Sequence, residues 1–198
     1  MSTNDHYIAF LKSVSIRSKH NTRRLLMTSS SVAAFQSFLR THIGDEVLVV
    51  STNIGMEVFY LSEHDCSDLI ERAIADYMIE KDVVNENLRF KNNQDSIVVY
   101  QSFSYAIQVF ANYPQVFLAY SKKFLHLLKE NKTQIHLVAT LSLFYHVALE
   151  NLKASGNVPH LQRIEAMYNA LEIKVPQGLN DFLQARLAKV LLHKIHSN

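Results

Sequence analysis

Apolar positions along this chain recur mainly at helical spacing. In residues 4–14 (NDHYIAFLKSV), Tyr7, Phe10, Leu11 and Val14 fall on one face, which predicts a short helix. Residues 15–30 (SIRSKHNTRRLLMTSS) are polar, basic and rich in Ser and Thr, and they read as a loop or a mobile arm. Residues 31–43 return to helical spacing, with Val32, Phe35, Phe38 and Leu39 on one side and a stop near Gly44. Residues 46–60 (EVLVVSTNIGMEVFY) are ambiguous. Val47, Leu48, Val49 and Val50 favour a strand and Ser-Thr-Asn can turn the chain, so a small hairpin fits, but so does a buried helix.

From Leu61 to Asp82 the pattern predicts a helix. Ser62 suits an N-cap, and Asp65 three residues on makes a pattern close to a capping box. Leu69, Ile70, Ala73, Ile74, Tyr77 and Met78 then build one broad apolar face. Residues 83–95 are polar and Asn-rich, as in a loop. A long helix follows over 96–113, ended by Pro114, which itself suits the first turn of the next helix, 114–130. Residues 132–154 predict a third long helix, stopped by Gly156. Residues 159–172 carry the stripe Leu161, Ile164, Tyr168 and Leu171. Residues 177–195 carry a last one, with Lys189, His193 and Lys194 placed to complement the C-terminal dipole.

These elements imply an all-α fold, a multi-helix orthogonal bundle with room for a small hairpin near 46–60. The expected organisation is an N-terminal helix and basic arm over 1–30, then one helical domain over 31–198. Only 4 glycines and 3 prolines punctuate the 198 residues, which favours a few long helices over many short strands. A chain of this length buries roughly 70% of its unfolded surface, enough for a core without covalent staples.

Net charge is only +2, but it is unevenly placed. Residues 1–40 hold six Lys/Arg and one acid, whereas residues 41–96 hold four Lys/Arg and twelve acids. Such asymmetry can orient self-pairing or partner binding. The basic arm, Arg17, Lys19, Arg23 and Arg24, could touch RNA, an acidic partner or a membrane surface, and its Ser/Arg bias also resembles an organellar targeting peptide. The single cysteine, Cys66, excludes an internal disulfide and points to a reducing, cytoplasmic setting. No run of about 18 uncharged apolar residues predicts a membrane span.

Catalytic signatures are missing. There is no G-x-S-x-G, no phosphate-binding G-x-x-x-x-G-K-[ST], no G-x-G-x-x-G and no H-E-x-x-H. Of the ten histidines, only His193 and His196 have helical ligand spacing, and they sit near the C-terminus. His126, His136 and His146 do not cluster by spacing. Cys66 falls in the first turn of a predicted helix, but Asp65 and Asp68 flank it and oppose a thiolate. Glu63, Asp65, Asp68, Glu71 and Asp76 read as a solvated carboxylate face. The densest feature is aromatic: Tyr100, Phe103, Tyr105, Phe110, Tyr113, Phe117, Tyr120 and Phe124. Such a run fills a core and an interface, or walls a ligand pocket. No cofactor is called for by any motif. The combined pattern points to a non-enzymatic regulatory or protein-interaction chain, as a homo-oligomer or a complex subunit.

Three stretches resemble the globin-like superfamily over roughly residues 100–195. Residues 102–120 (SFSYAIQVFANYPQVFLAY) are similar to a globin's second helix and its proline corner. Residues 143–173 are similar to the end of helix E with helix F, and VPQGLNDFLQARLAKVLL is similar to helix G. The resemblance implies a sensor module holding haem or a small apolar ligand. By that alignment Tyr168 stands where a globin has its iron-binding histidine and Gln134 stands at the distal position. Tyr120 replaces a phenylalanine against the haem, with Phe117 one turn away. Tyrosine in place of the proximal histidine favours a haem-free version of such a module.

Overall fold

The computed structural model describes residues 5–19, 25–78, 88–156, 158–175, 178–185 and 188. Its architecture is mixed α and β, which corrects the all-α expectation and the helical bundle it implied. The chain divides into two compact units. One holds Phe10–Gln94 together with Thr133–Leu137, and the other holds Met1–Ala9, Asp95–Lys132 and Val138–Asn198.

The first unit is built on a four-stranded antiparallel sheet. Its elements are β1 (Leu11–Ser18), α2 (Ser29–Ile43), β2 (Val47–Thr52), β3 (Gly55–Leu61), α3 (Ser67–Ala73) with a 3-10 turn at Ile74–Tyr77, and β4 (Leu88–Asn93). The spatial order is β2-β3-β1-β4, with β1 antiparallel to both neighbours. Read along the chain this is β-α-β-β-α-β, two split βαβ units of ferredoxin-like arrangement. One sheet face carries Val14 and Ile16 from β1, Val47 and Val49 from β2, and Met56, Val58 and Tyr60 from β3. They pack with Phe35 and Leu39 of α2 and with Ile70 and Ile74 into one buried cluster.

Three local readings change for identifiable reasons. β1 runs through the segment read as the end of a helix and the start of an arm. Leu11 and Val14 have helical spacing by coincidence, whereas Val14 and Ile16 alternate with Ser13 and Ser15, and all four are buried. Buried serines on the second face hide a period of two. The helix expected from Leu61 starts at Ser67, because Leu61 still pairs with Leu11 in the sheet. Ser62 Oγ accepts from the His64 amide at 3.1 Å, a local turn rather than a helix cap. The loop expected over 83–95 contains β4, whose exposed Arg89, Lys91 and Asn92 resemble a solvated segment.

The hairpin over 46–60 is present as β2 and β3. Its two-residue turn, Asn53–Ile54, is closed by Thr52 Oγ1, which donates to the Gly55 carbonyl at 3.0 Å and accepts from the Ile54 amide at 3.2 Å. Gly55 has φ +149°, and a Cβ there would stand 2.8 Å from the Ile16 carbonyl oxygen.

The second unit is helical. Besides α1 (Asp5–Ala9) it contains α4 (Ser96–Ala111), α5 (Pro114–Glu130), α6 (Ile135–Ala154, with its first turn grouped in the sheet unit) and α7 (Leu161–Asn169). Of the expected helix over 177–195, residues 179–185 are helical and 188 is helical; the rest lies outside the described residues, as do His193 and His196. Asp95 caps α4 by accepting from the Ile97 amide at 2.7 Å, and Pro114 opens α5. α6 alone among the described helices is long and apolar enough to cross a membrane, and 72% of its apolar window is buried inside the protein, as in a core helix.

Candidate functional site

The aromatic run divides by helix face. Phe103, Phe110, Phe117 and Phe124 are buried, while Tyr105 and Tyr113 are exposed. The inward rings join into a chain. Phe110 lies 4.9 Å from Tyr120, Tyr120 lies 5.8 Å from Phe124, Phe124 lies 5.6 Å from Tyr145, and Tyr145 lies 6.2 Å from Tyr168. Tyr168 also stacks on His146 at 5.5 Å. Its hydroxyl accepts from Ser142 Oγ at 3.2 Å. Burial pushes the Tyr145 phenol well above its ordinary value, against a smaller opposing effect of Ser121. Phe110, Phe124 and Tyr145 therefore lie in the interior of the helical unit, with half-buried Tyr120 and Tyr168 and exposed His146 at its edge.

The residues singled out for ligand binding are not gathered in one unit. Phe117, Tyr120 and Tyr168 lie in the helical unit, whereas Gln134, buried, belongs to the sheet unit. Among the described residues no three His, Cys, Asp or Glu side chains converge to hold a metal ion. Cys66 is a free, half-buried thiol at the start of α3, 3.8 Å from the His64 carbonyl. Of the basic arm, Arg17 lies in β1 directly across from Arg89 of β4, Lys19 is exposed just beyond β1, and Arg23 and Arg24 lie outside the described residues.

A polar cluster missed by sequence reasoning occupies the second face of the sheet. Ser13, Ser15, Glu57 and Asn93 are neighbours by strand register. Ser15 Oγ donates to Glu57, and Asn93 Nδ2 donates to Ser13 Oγ at 3.0 Å. Burial pushes the Glu57 carboxyl above its ordinary value; hydrogen bonds from Ser15 and Ser13 and the charges of Arg17 and Lys91 pull the other way and do not win. The one sequence signal for it was alternation of small polar residues with Val and Ile in β1.

The solvent side of α4 has a different character. Val98 (42%), Tyr105 (69%) and Val109 (36%) are exposed along it, and Tyr113 (60%) continues the stripe into the turn before α5. The residues exposed between them are Gln101, Gln108 and Asn112. From Ser96 to Ser121 the sequence holds no Asp, Glu, Lys, Arg or His. Exposed helix faces ordinarily carry charge, and loss of charge with gain of tyrosine marks the centre of protein interfaces. This face is the candidate site.

The chain matches no family model, no curated protein and no solved structure.

Proposed function

We propose that this chain is a non-enzymatic interaction or regulatory subunit that binds another polypeptide through the solvent face of α4. The observation that carries the reading is the exposed, chargeless stripe of Val98, Tyr105, Val109 and Tyr113. Isolated exposed apolar side chains are ordinary, but three along one helix and a fourth in the turn that follows, without an intervening charge, form a patch. The rigid tyrosine rings offer large contact area at small entropy cost. The free thiol at Cys66 suits a reducing compartment such as the cytoplasm.

The experiment is site-specific photo-crosslinking. A photoreactive phenylalanine analogue at Tyr105 is expected to give a polypeptide adduct in cells, while the same analogue at exposed Arg163 of α7 gives none. Equal labelling at both positions, or none at either, contradicts the reading.

A further inference from the structure

β4 forms one edge of the sheet and carries a pattern that packing alone does not account for. Arg89 of β4 stands directly opposite Arg17 of β1 in the antiparallel ladder. Lys91 stands opposite Ser15, two residues along and on the same sheet face, so it is the diagonal neighbour of Arg17. All three cations are exposed, as is Lys19 just beyond β1. Opposed residues have Cβ atoms about 5 Å apart and diagonal ones lie about 7–8 Å apart, so the charges share one small area. Like charges directly opposed destabilise a ladder. A single cation on an edge strand is explained by protection of that edge against pairing. A second guanidinium set against it on the inner strand is not.

The carboxyl that feels the charges of Arg17 and Lys91 is Glu57, opposite Ser15 on the other side of β1. Burial favours its neutral form, so it offsets the patch incompletely. From His6 to Gly44, the stretch that contains β1, the sequence holds six Lys/Arg and no acid.

The surroundings select among anions. Phe90, between Arg89 and Lys91, packs against the core cluster on the opposite face, and the exposed neighbour Asn92 is polar. A polypeptide interface is built around an apolar centre, and stable anchoring to a lipid surface adds an apolar element to a basic patch. The described residues here offer neither. A phosphodiester backbone needs only clustered Lys and Arg, because release of its condensed counterions drives binding. Two opposed guanidinium forks also match the oxygens of a phosphate. No exposed aromatic ring among the described residues of the patch is placed to stack on a base, so contact is with the backbone.

We infer that Arg17, Lys19, Arg89 and Lys91 form a surface of the sheet unit that binds the phosphodiester backbone of a nucleic acid, independently of base sequence. This surface goes beyond the α4 reading, which concerns the helical unit, and stands or falls apart from it.

Fluorescence anisotropy of the full chain with a single-stranded RNA of mixed sequence, between about 50 and 200 mM salt, is the test. Four phosphate contacts on a single strand give a slope of log affinity against log salt of about −3. Arg17→Gln combined with Arg89→Gln is expected to make the slope shallower by about 1.4 and to weaken binding at least about tenfold at the low-salt end. Arg17→Lys combined with Arg89→Lys keeps the charge and should keep the slope, which separates lost charge from lost folding. Arg163→Gln, at an exposed position of α7, should change nothing. A scrambled RNA should bind with the same affinity. No binding at the low-salt end overturns the inference, as does a slope indifferent to the Gln pair or lost equally with the Lys pair. Equal binding of poly-glutamate overturns it too, because the surface then recognises a carboxylate chain. Binding of anionic phospholipid vesicles in place of RNA does the same, with a lipid as the anion.

Discussion

Single residues in the sheet unit carry consequences out of proportion to their size. Glu57 is one, because burial raises its pKa despite two serine donors. The folded state then holds the proton more tightly than the unfolded state. Stability from this group is present at low pH and is lost as pH climbs from the ordinary glutamate value through the raised one. Asp65 behaves oppositely. Burial pushes it up, but hydrogen bonds from Ser67 and Gln94 and the charge of Lys12 hold it below its ordinary value. Its contribution is lost only as pH falls below the usual carboxylate range. Glu57→Gln keeps an acceptor for Ser15 without a charge. Urea unfolding of variant and native protein should therefore differ least below the ordinary glutamate value, with the variant gaining as pH climbs through the raised one and levelling off beyond it; parallel curves would remove the effect. Gly55 is the second case. Gly55→Ala meets both a φ of +149° and a carbonyl at 2.8 Å, whereas Gly44→Ala meets only a φ of +131° in open space. Positive-φ strain alone costs of order 1–3 kcal/mol. Unfolding midpoints should show Gly55→Ala as the more destabilised of the two.

At the scale of elements, legibility followed burial. Helices α4 and α5 bury one side of a 3.6-residue repeat, α6 is buried on all sides over 137–145, and the three are bounded by Asp95, Pro114 and Gly156, so their pattern and punctuation agreed. β1 is buried across Leu11–Ile16, and its second face is paved with serines, so neither alternation nor a continuous apolar run was visible. The exposed stripe on α4 was half legible: the aromatic run stood out, but which rings face inward depends on packing against α5 that a one-dimensional pattern does not contain. The edge of β2 illustrates a long-range device that the same pattern conceals. Gln36 of α2 accepts from the Val49 amide at 2.8 Å, satisfying a donor on the outer side of that strand. Gln36→Ala leaves it unsatisfied. A loss of about 1 kcal/mol in unfolding free energy is expected, with faster amide exchange at Val49. Unchanged exchange there would mean the bond is dispensable.

For the molecule as a whole, the sheet unit is not assembled from one continuous stretch of chain. Thr133–Leu137 belongs to it by packing, although β4 ends forty residues earlier at Asn93. The link is Glu46. Its two carboxylate oxygens accept from the amides of His136 at 3.2 Å and Leu137 at 2.9 Å, two of the donors that the first turn of α6 cannot satisfy within the helix. A carboxylate here also meets the positive end of the helix dipole, so charge and hydrogen bonding act together. Its backbone takes part as well, since the Glu46 carbonyl accepts from the Leu61 amide at 3.1 Å at the end of the β2–β3 ladder. One residue thus ties the start of the hairpin to a segment 90 positions away. Glu46→Ala should cost about 1–2 kcal/mol, the range for losing a helix cap. Hydrogen exchange separates this from general destabilisation. The amides of His136 and Leu137 should lose protection first and most, while those of β1, paired on both sides, should change only by the global loss of stability. Uniform loss across both would show that Glu46 acts on the whole fold rather than as the clamp on this one turn. Glu46→Gln, which retains an acceptor but not the charge, should fall between the two proteins if the dipole contributes.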